Sequence, residues 1–169
     1  MIYTVERRYF VNNEGTEVVQ NLPYARIMVF GETKADDGME LPLNLSYFAY
    51  DPADLPANDK IIADAKEMVK TLEALRVAPV VDPYTGPALL SGPASGVFFH
   101  EIFGHRIEGH RLKGGGETFK KKVGELVLPA DFQVYCDPTL RSYAGEELNG
   151  FYLYDDQGAK ARRVDVVKD

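Results

Sequence analysis

Over the first fifty positions apolar residues alternate with polar ones or gather in short runs, and beyond them the spacing changes to threes and fours. Tyr9-Phe10-Val11, the polar turn Asn12-Asn13-Glu14-Gly15 and Thr16-Glu17-Val18-Val19 predict a β-hairpin. Residues 25–31 predict a buried strand, Asp36-Asp37-Gly38 a turn, and residues 44–50 another strand. The stretch from Asp51 to Pro56 breaks the sheet and opens a helix. Within that helix Ile61, Ala65, Met68, Leu72 and Leu75 form one apolar stripe. Pro79 stops it, because proline has no N–H to continue the hydrogen-bond ladder. Residues 80–87 are dense in turn formers and predict a linker or the entry to a second domain.

Past the linker, Ala88-Leu89-Leu90 predicts a short buried strand and Ser91-Gly92-Pro93 a helix start, giving a helix of roughly 92 to 112. Ala94, Ser95 and Gly96 give it a small-residue face, and Gly114-Gly115-Gly116 ends it. Residues 132–135 predict a strand. Residues 149–154 and 162–167 flank the turn Asp155-Asp156-Gln157-Gly158 and predict a second hairpin. The expected fold class is α+β, with antiparallel or mixed sheets and two main helices.

Composition narrows the function classes. The 169 residues are 45 % hydrophobic and 27 % charged, as expected of a packed globular protein. The net charge of −7 argues against direct nucleic-acid binding, which needs clustered Lys and Arg, and Lys120-Lys121-Lys122 alone does not supply them. A single cysteine, Cys136, rules out an intrachain disulfide and fits a reducing compartment. No stretch approaches the ~20 apolar residues that span a bilayer, and the first residues lack a signal-peptide layout. The expectation is a cytoplasmic location with no membrane contact, or else a targeting segment that lies outside this sequence.

The chemistry is concentrated in one place. All three histidines fall in the run from His100 to His110, with Glu101 beside the first. His100-Glu101-x-x-x-His105 is one residue longer than the common His-Glu-x-x-His zinc-hydrolase helix. Two neutral imidazoles suit zinc, which brings the pKa of a bound water to ~7 and leaves the adjacent carboxylate free to act as a base. The spacing is the difficulty, because residues five apart on a regular α-helix point about 140° apart. The sequence therefore predicts an irregular turn between 100 and 105, such as a π-bulge, made cheaper by Gly104. His110, Cys136 and Asp137 are weaker ligand candidates, and Glu108 reads as a solvated or ion-paired side chain. Gly114-Gly115-Gly116 with the lysines after it lacks the spacing of a phosphate loop.

The run Phe99-His100-Glu101-Ile102-Phe103-Gly104-His105-Arg106-Ile107-Glu108-Gly109 resembles the signature of the TldD half of the TldD/PmbA family, formerly labelled modulators of DNA gyrase. Similar stretches occur at residues 8–16, at Asp137-Pro138-Thr139, and from Asn149-Gly150 to Gly158. The resemblance implies a zinc metallopeptidase that hydrolyses unfolded or flexible peptides, with His100 and His105 as ligands and Glu101 as catalytic base. It implies a homodimer or a heterodimer with a PmbA-type subunit. It also implies that the chain is a fragment, in which residues 1–80 are the C-terminal part of an N-terminal α+β domain and residues 81–169 begin the metal-site domain. The third zinc ligand is then expected to be a cysteine beyond residue 169. The same residues leave open a non-catalytic protein-binding module and an inactive truncated relative.

Overall fold

The computed structural model describes residues 1–114 and 119–168. The chain divides into two compact units, Met1–Val81 with Asp137–Arg163, and Asp82–Cys136 with Val164–Asp169. The fold is α+β, as the sequence predicts. None of the described helices is long and apolar enough to cross a membrane.

The first unit is built on an antiparallel sheet of β1 (Ile2–Val11), β2 (Glu17–Lys34) and β3 (Glu40–Ala49), in that order. The hairpin at residues 12–15 forms as expected, closed by the Asn12 side chain, which accepts from the N–H groups of Glu14 and Thr16. The two runs at 16–19 and 25–31 are one continuous strand of 18 residues that passes through Pro23. Proline survives there because β2 changes partners along its length. Residues 17–26 pair with β1 and residues 25–34 with β3, so at Pro23 only one side carries a ladder.

The strand also changes its covered face. Val18 and Gln20 are buried at the start, whereas Ala25 is buried in the middle. A shift from even to odd positions puts the two coverings on opposite sides of the pleat. The helix α1 (Asn58–Arg76) packs on the later half, burying Met68 and Leu72. It comes so close to Gly31 that a Cβ there would lie 2.9 Å from Leu72 and Met68. Tyr47 on β3 ties the helix down by donating to Asp64, which also holds Lys60 at 2.5 Å.

Residues 137–163 return to the first unit. Strands β5 (Ser142–Tyr143) and β6 (Glu146–Glu147) form a small hairpin. Glu147 accepts the Tyr50 N–H at 2.6 Å, and the Tyr50 hydroxyl donates to the Leu148 carbonyl. Buried Gln20 acts as a strand in miniature, donating to the Tyr154 carbonyl and accepting the Tyr154 N–H, both at 3.1 Å. The turn at 155–158 forms, but the expected second hairpin does not. The chain makes one bridge, Tyr154 to Lys160, and β7 (Val164–Val167) pairs with β4 (Val134–Cys136) in the second unit.

Gly158 sits in that turn at φ +76°, and a Cβ on it would collide with the Phe10 ring. Gly158→Ala therefore combines a left-handed backbone penalty with overpacking, each about 1–2 kcal/mol. A loss of roughly 2–4 kcal/mol in urea unfolding is expected, and a loss below about 0.5 kcal/mol would contradict the packing of this segment.

The second unit departs from expectation in two places. Residues 88–90 form no strand, and Leu89 is fully exposed. The helix of 92–112 is broken into α2 (Gly92–Ile102), a 3-10 turn at Gly104–Ile107 and the single turn α3 (Arg111–Gly114). Of the glycine run expected to end it, Gly115 and Gly116 lie outside the described residues.

Candidate metal centre

The helix α2 starts as its sequence dictates. Pro93 occupies the first turn, where its missing N–H costs nothing, and Ser95 makes the opening bond to the Ser91 carbonyl at 2.8 Å. Regular pairing runs to Phe103, whose N–H reaches the Phe99 carbonyl at 3.0 Å. Phe103 then leaves helical geometry at φ −120°, ψ −52°, and the next bond, Arg106 N–H to the Phe103 carbonyl, closes a tighter 3-10 ring. The irregularity expected between 100 and 105 is thus a helix end followed by a 3-10 turn, not a π-bulge. Gly104 is not demanded by space, since a Cβ there would meet only ordinary contacts at 3.7 and 4.0 Å. At the break stands Phe103, which is 4 % exposed and packs on Phe119 with ring centroids 5.5 Å apart.

This break brings together what an ideal helix would separate. The His100 and His105 ring centroids are 4.4 Å apart, at an interplanar angle of 69°. Glu101 offers one oxygen to each ring. Its Oε1 is 3.9 Å from His100 Nε2 and its Oε2 is 3.7 Å from His105 Nε2. One ligand atom from each of the three residues lies within 4.8 Å of the others, and among the described residues theirs is the only such group. Ligands of one tetrahedral ion at 2.0–2.1 Å stand roughly 3.3 Å apart. The trio fits an ion after closing by no more than about 1.5 Å, within the reach of side-chain rotation. The His100 and Glu101 side chains are 61 and 62 % exposed, so the group is open to an incoming molecule.

The weaker candidates fall elsewhere. His110 is exposed, with Nε2 at 3.6 Å from Glu108. Cys136 is an exposed thiol on β4, and Asp137 folds its carboxylate onto Thr139. Glu108 has a fuller role than sequence reading gave it. Its Oε1 lies 2.8 Å from His105 Nδ1, and its Oε2 accepts from Arg111 Nε. The Arg111 guanidinium, and after it His105, hold the Glu108 carboxyl down at a pKa of about 2. The signal was present as two successive steps of three, 105 to 108 to 111, which bring side chains onto one face.

Beside the turn lies an open cleft of about 770 Å³, lined by Phe103, Ile107, Phe119, Leu126, Phe132 and Val167 among others. It is mostly apolar and adjoins the same 3-10 segment that carries His105.

Comparison with known proteins gives the same region a family. A metalloprotease of Archaeoglobus fulgidus is 29 % identical over 111 residues, which cover 66 % of this chain and 25 % of that protein. The match therefore spans only a quarter of the relative's length. No solved structure matches the chain. Residues 83–169, about half of the chain and including the histidine cluster, match the model of the PmbA/TldA metallopeptidase C-terminal domain. A metal is what such a family implies, and the His-Glu-His group has the donors to hold one. The chain belongs to the PmbA/TldA metallopeptidase family.

Proposed function

We propose that the protein is a zinc-dependent peptidase that hydrolyses peptide bonds in unfolded or flexible peptides, with His100 and His105 as metal ligands and Glu101 as catalytic base. The observation that carries this reading is the closure of the two imidazoles and the carboxylate into one group across the broken helix. Two ring nitrogens beside a single carboxylate favour zinc over magnesium or calcium, which prefer shells of oxygen. When bound, zinc supplies a Lewis acid that polarises the peptide carbonyl and acidifies water.

The chain's own residues do the rest. His100 and His105 present Nε2 towards Glu101 and would hold the ion. Glu101 takes a proton from water as the oxygen adds to the carbonyl carbon. It returns the proton to the amide nitrogen as the C–N bond breaks, so that acid and amine leave neutral overall. The exposure of His100 and Glu101 gives an extended backbone access, as an unstructured substrate requires. The same reading takes the protein to be cytoplasmic and to work as a homodimer or with a PmbA-type partner subunit.

Metal analysis tests it. On this reading the third ligand is the cysteine expected beyond residue 169, so full-length protein that includes it, purified without chelator, is expected to carry about one zinc per chain and to cleave an unstructured peptide. The double variant His100→Ala/His105→Ala should lose both properties while remaining folded. Folded wild-type protein that cleaves peptides without metal, or a double variant that keeps its zinc, would overturn the proposal.

A further inference from the structure

We propose that Glu108 is a positioning residue for His105, fixing the ring proton on Nδ1 so that the Nε2 lone pair is turned to the metal. The inference rests on the peptidase reading for its purpose, but its geometry is independent of any ion. Glu108 follows the 3-10 turn, and in a helix of three residues per turn side chains at i and i+3 eclipse. That puts the Glu108 carboxylate directly against the His105 ring, with Oε1 at 2.8 Å from Nδ1.

An ionised carboxylate only accepts, so the proton in this contact belongs to the imidazole. In the ring that carries a single proton the other nitrogen, Nε2, 3.7 Å from Glu101, keeps its lone pair, because the Glu108 contact is the closer of the two. Arg111 holds the carboxylate from behind. Its Nε donates to Oε2, and its own backbone N–H reaches the Glu108 carbonyl at 3.1 Å. Arg111 Nη2 also lies 3.2 Å from His105 Nδ1 and competes for the same nitrogen. If it won, Nδ1 would accept, the proton would move to Nε2, and His105 could not ligate through Nε2. The shorter Glu108 contact decides in favour of Nδ1–H. A carboxylate bonded to the far nitrogen of a ligating histidine fixes its tautomer and its orientation, and losing such a partner typically costs 10–100-fold in metal affinity.

The test has two readouts. In the metal-free chain, wherever the nitrogen-15 shifts themselves show the His105 ring carrying a single proton, that proton is expected on Nδ1 with Nε2 bare. An Nε2–H tautomer in the wild-type chain would overturn the proposal without any variant being made. Zinc titration is the second readout. Glu108→Ala should move His105 towards the Nε2–H tautomer and weaken zinc about 10–100-fold. Glu108→Gln, which keeps an acceptor but not the charge, should recover part of that loss. Glu108→Ala with an unchanged tautomer and unchanged zinc affinity would overturn it. Full-length protein that shows the Nδ1–H ring but takes up no zinc would instead count against the peptidase reading.

Discussion

Glu101→Gln is expected to slow peptide hydrolysis by about 10²–10⁴-fold, the usual worth of a general base, while leaving zinc stoichiometry intact. Glutamine has the same shape and fills the same place between the two rings, but it cannot take a proton from water at neutral pH. The imidazoles proposed to hold the ion are untouched. The loss should therefore fall on kcat, with KM nearly unchanged, because the interaction removed is made only as the proton moves. The metal measurement gives the experiment its edge. Glu101 lies 3.7 and 3.9 Å from the two Nε2 atoms, close enough for it to be a third ligand itself. If Glu101→Gln empties the site together with the activity, the carboxylate is a ligand and the base lies elsewhere. Undiminished turnover would remove Glu101 from the chemistry altogether.

The strongly periodic parts of the chain were readable because each period has one physical cause. The turn at residues 12–15 has its own side-chain caps, and the stripe from Ile61 to Leu72 lies on the face of α1 that meets the sheet, whereas Leu75, the last residue of the expected stripe, is exposed. The His-Glu-His group was readable from residue types alone. What escaped depended on partners distant in sequence. Residues 16–19 and 25–31 read as separate strands, but the exchange of β1 for β3 as neighbour leaves room for Pro23 in one continuous strand. Residues 162–167 looked like the second arm of a local hairpin, yet Val164–Val167 found β4 thirty residues upstream. Leu89 looked like core by hydrophobicity and is fully exposed. Periodicity on its own does not say whether an apolar run has a neighbour to cover it. The helix of 92–112 was overextended for a related reason. Phe103 is a fair helix former, and its sequence position does not show that it is buried against Phe119 at the point where the backbone leaves helical geometry.

Phe103→Ala should therefore damage both the second unit and the site, and the two losses can be separated. Phe103 is 4 % exposed, and truncating a buried phenylalanine to alanine typically costs 3–5 kcal/mol. The ring already borders the cleft of about 770 Å³, so its removal enlarges existing empty space and its neighbours gain no new support. An expected loss of about 3–4 kcal/mol in urea unfolding follows. The consequence for the site comes from where this residue stands, between His100 and His105 at the point where the helix ends. With the anchor gone, residues 100–105 are free to relax towards a regular helix, in which the two imidazoles diverge by about 140°. Zinc affinity should then fall although every proposed ligand is still present. Phe103→Leu keeps most of the buried volume and is expected to lose less than about 1.5 kcal/mol and to retain the metal. A Phe103→Ala protein that is destabilised as predicted but binds zinc as tightly as wild type would show that the broken helix is not what unites the two rings.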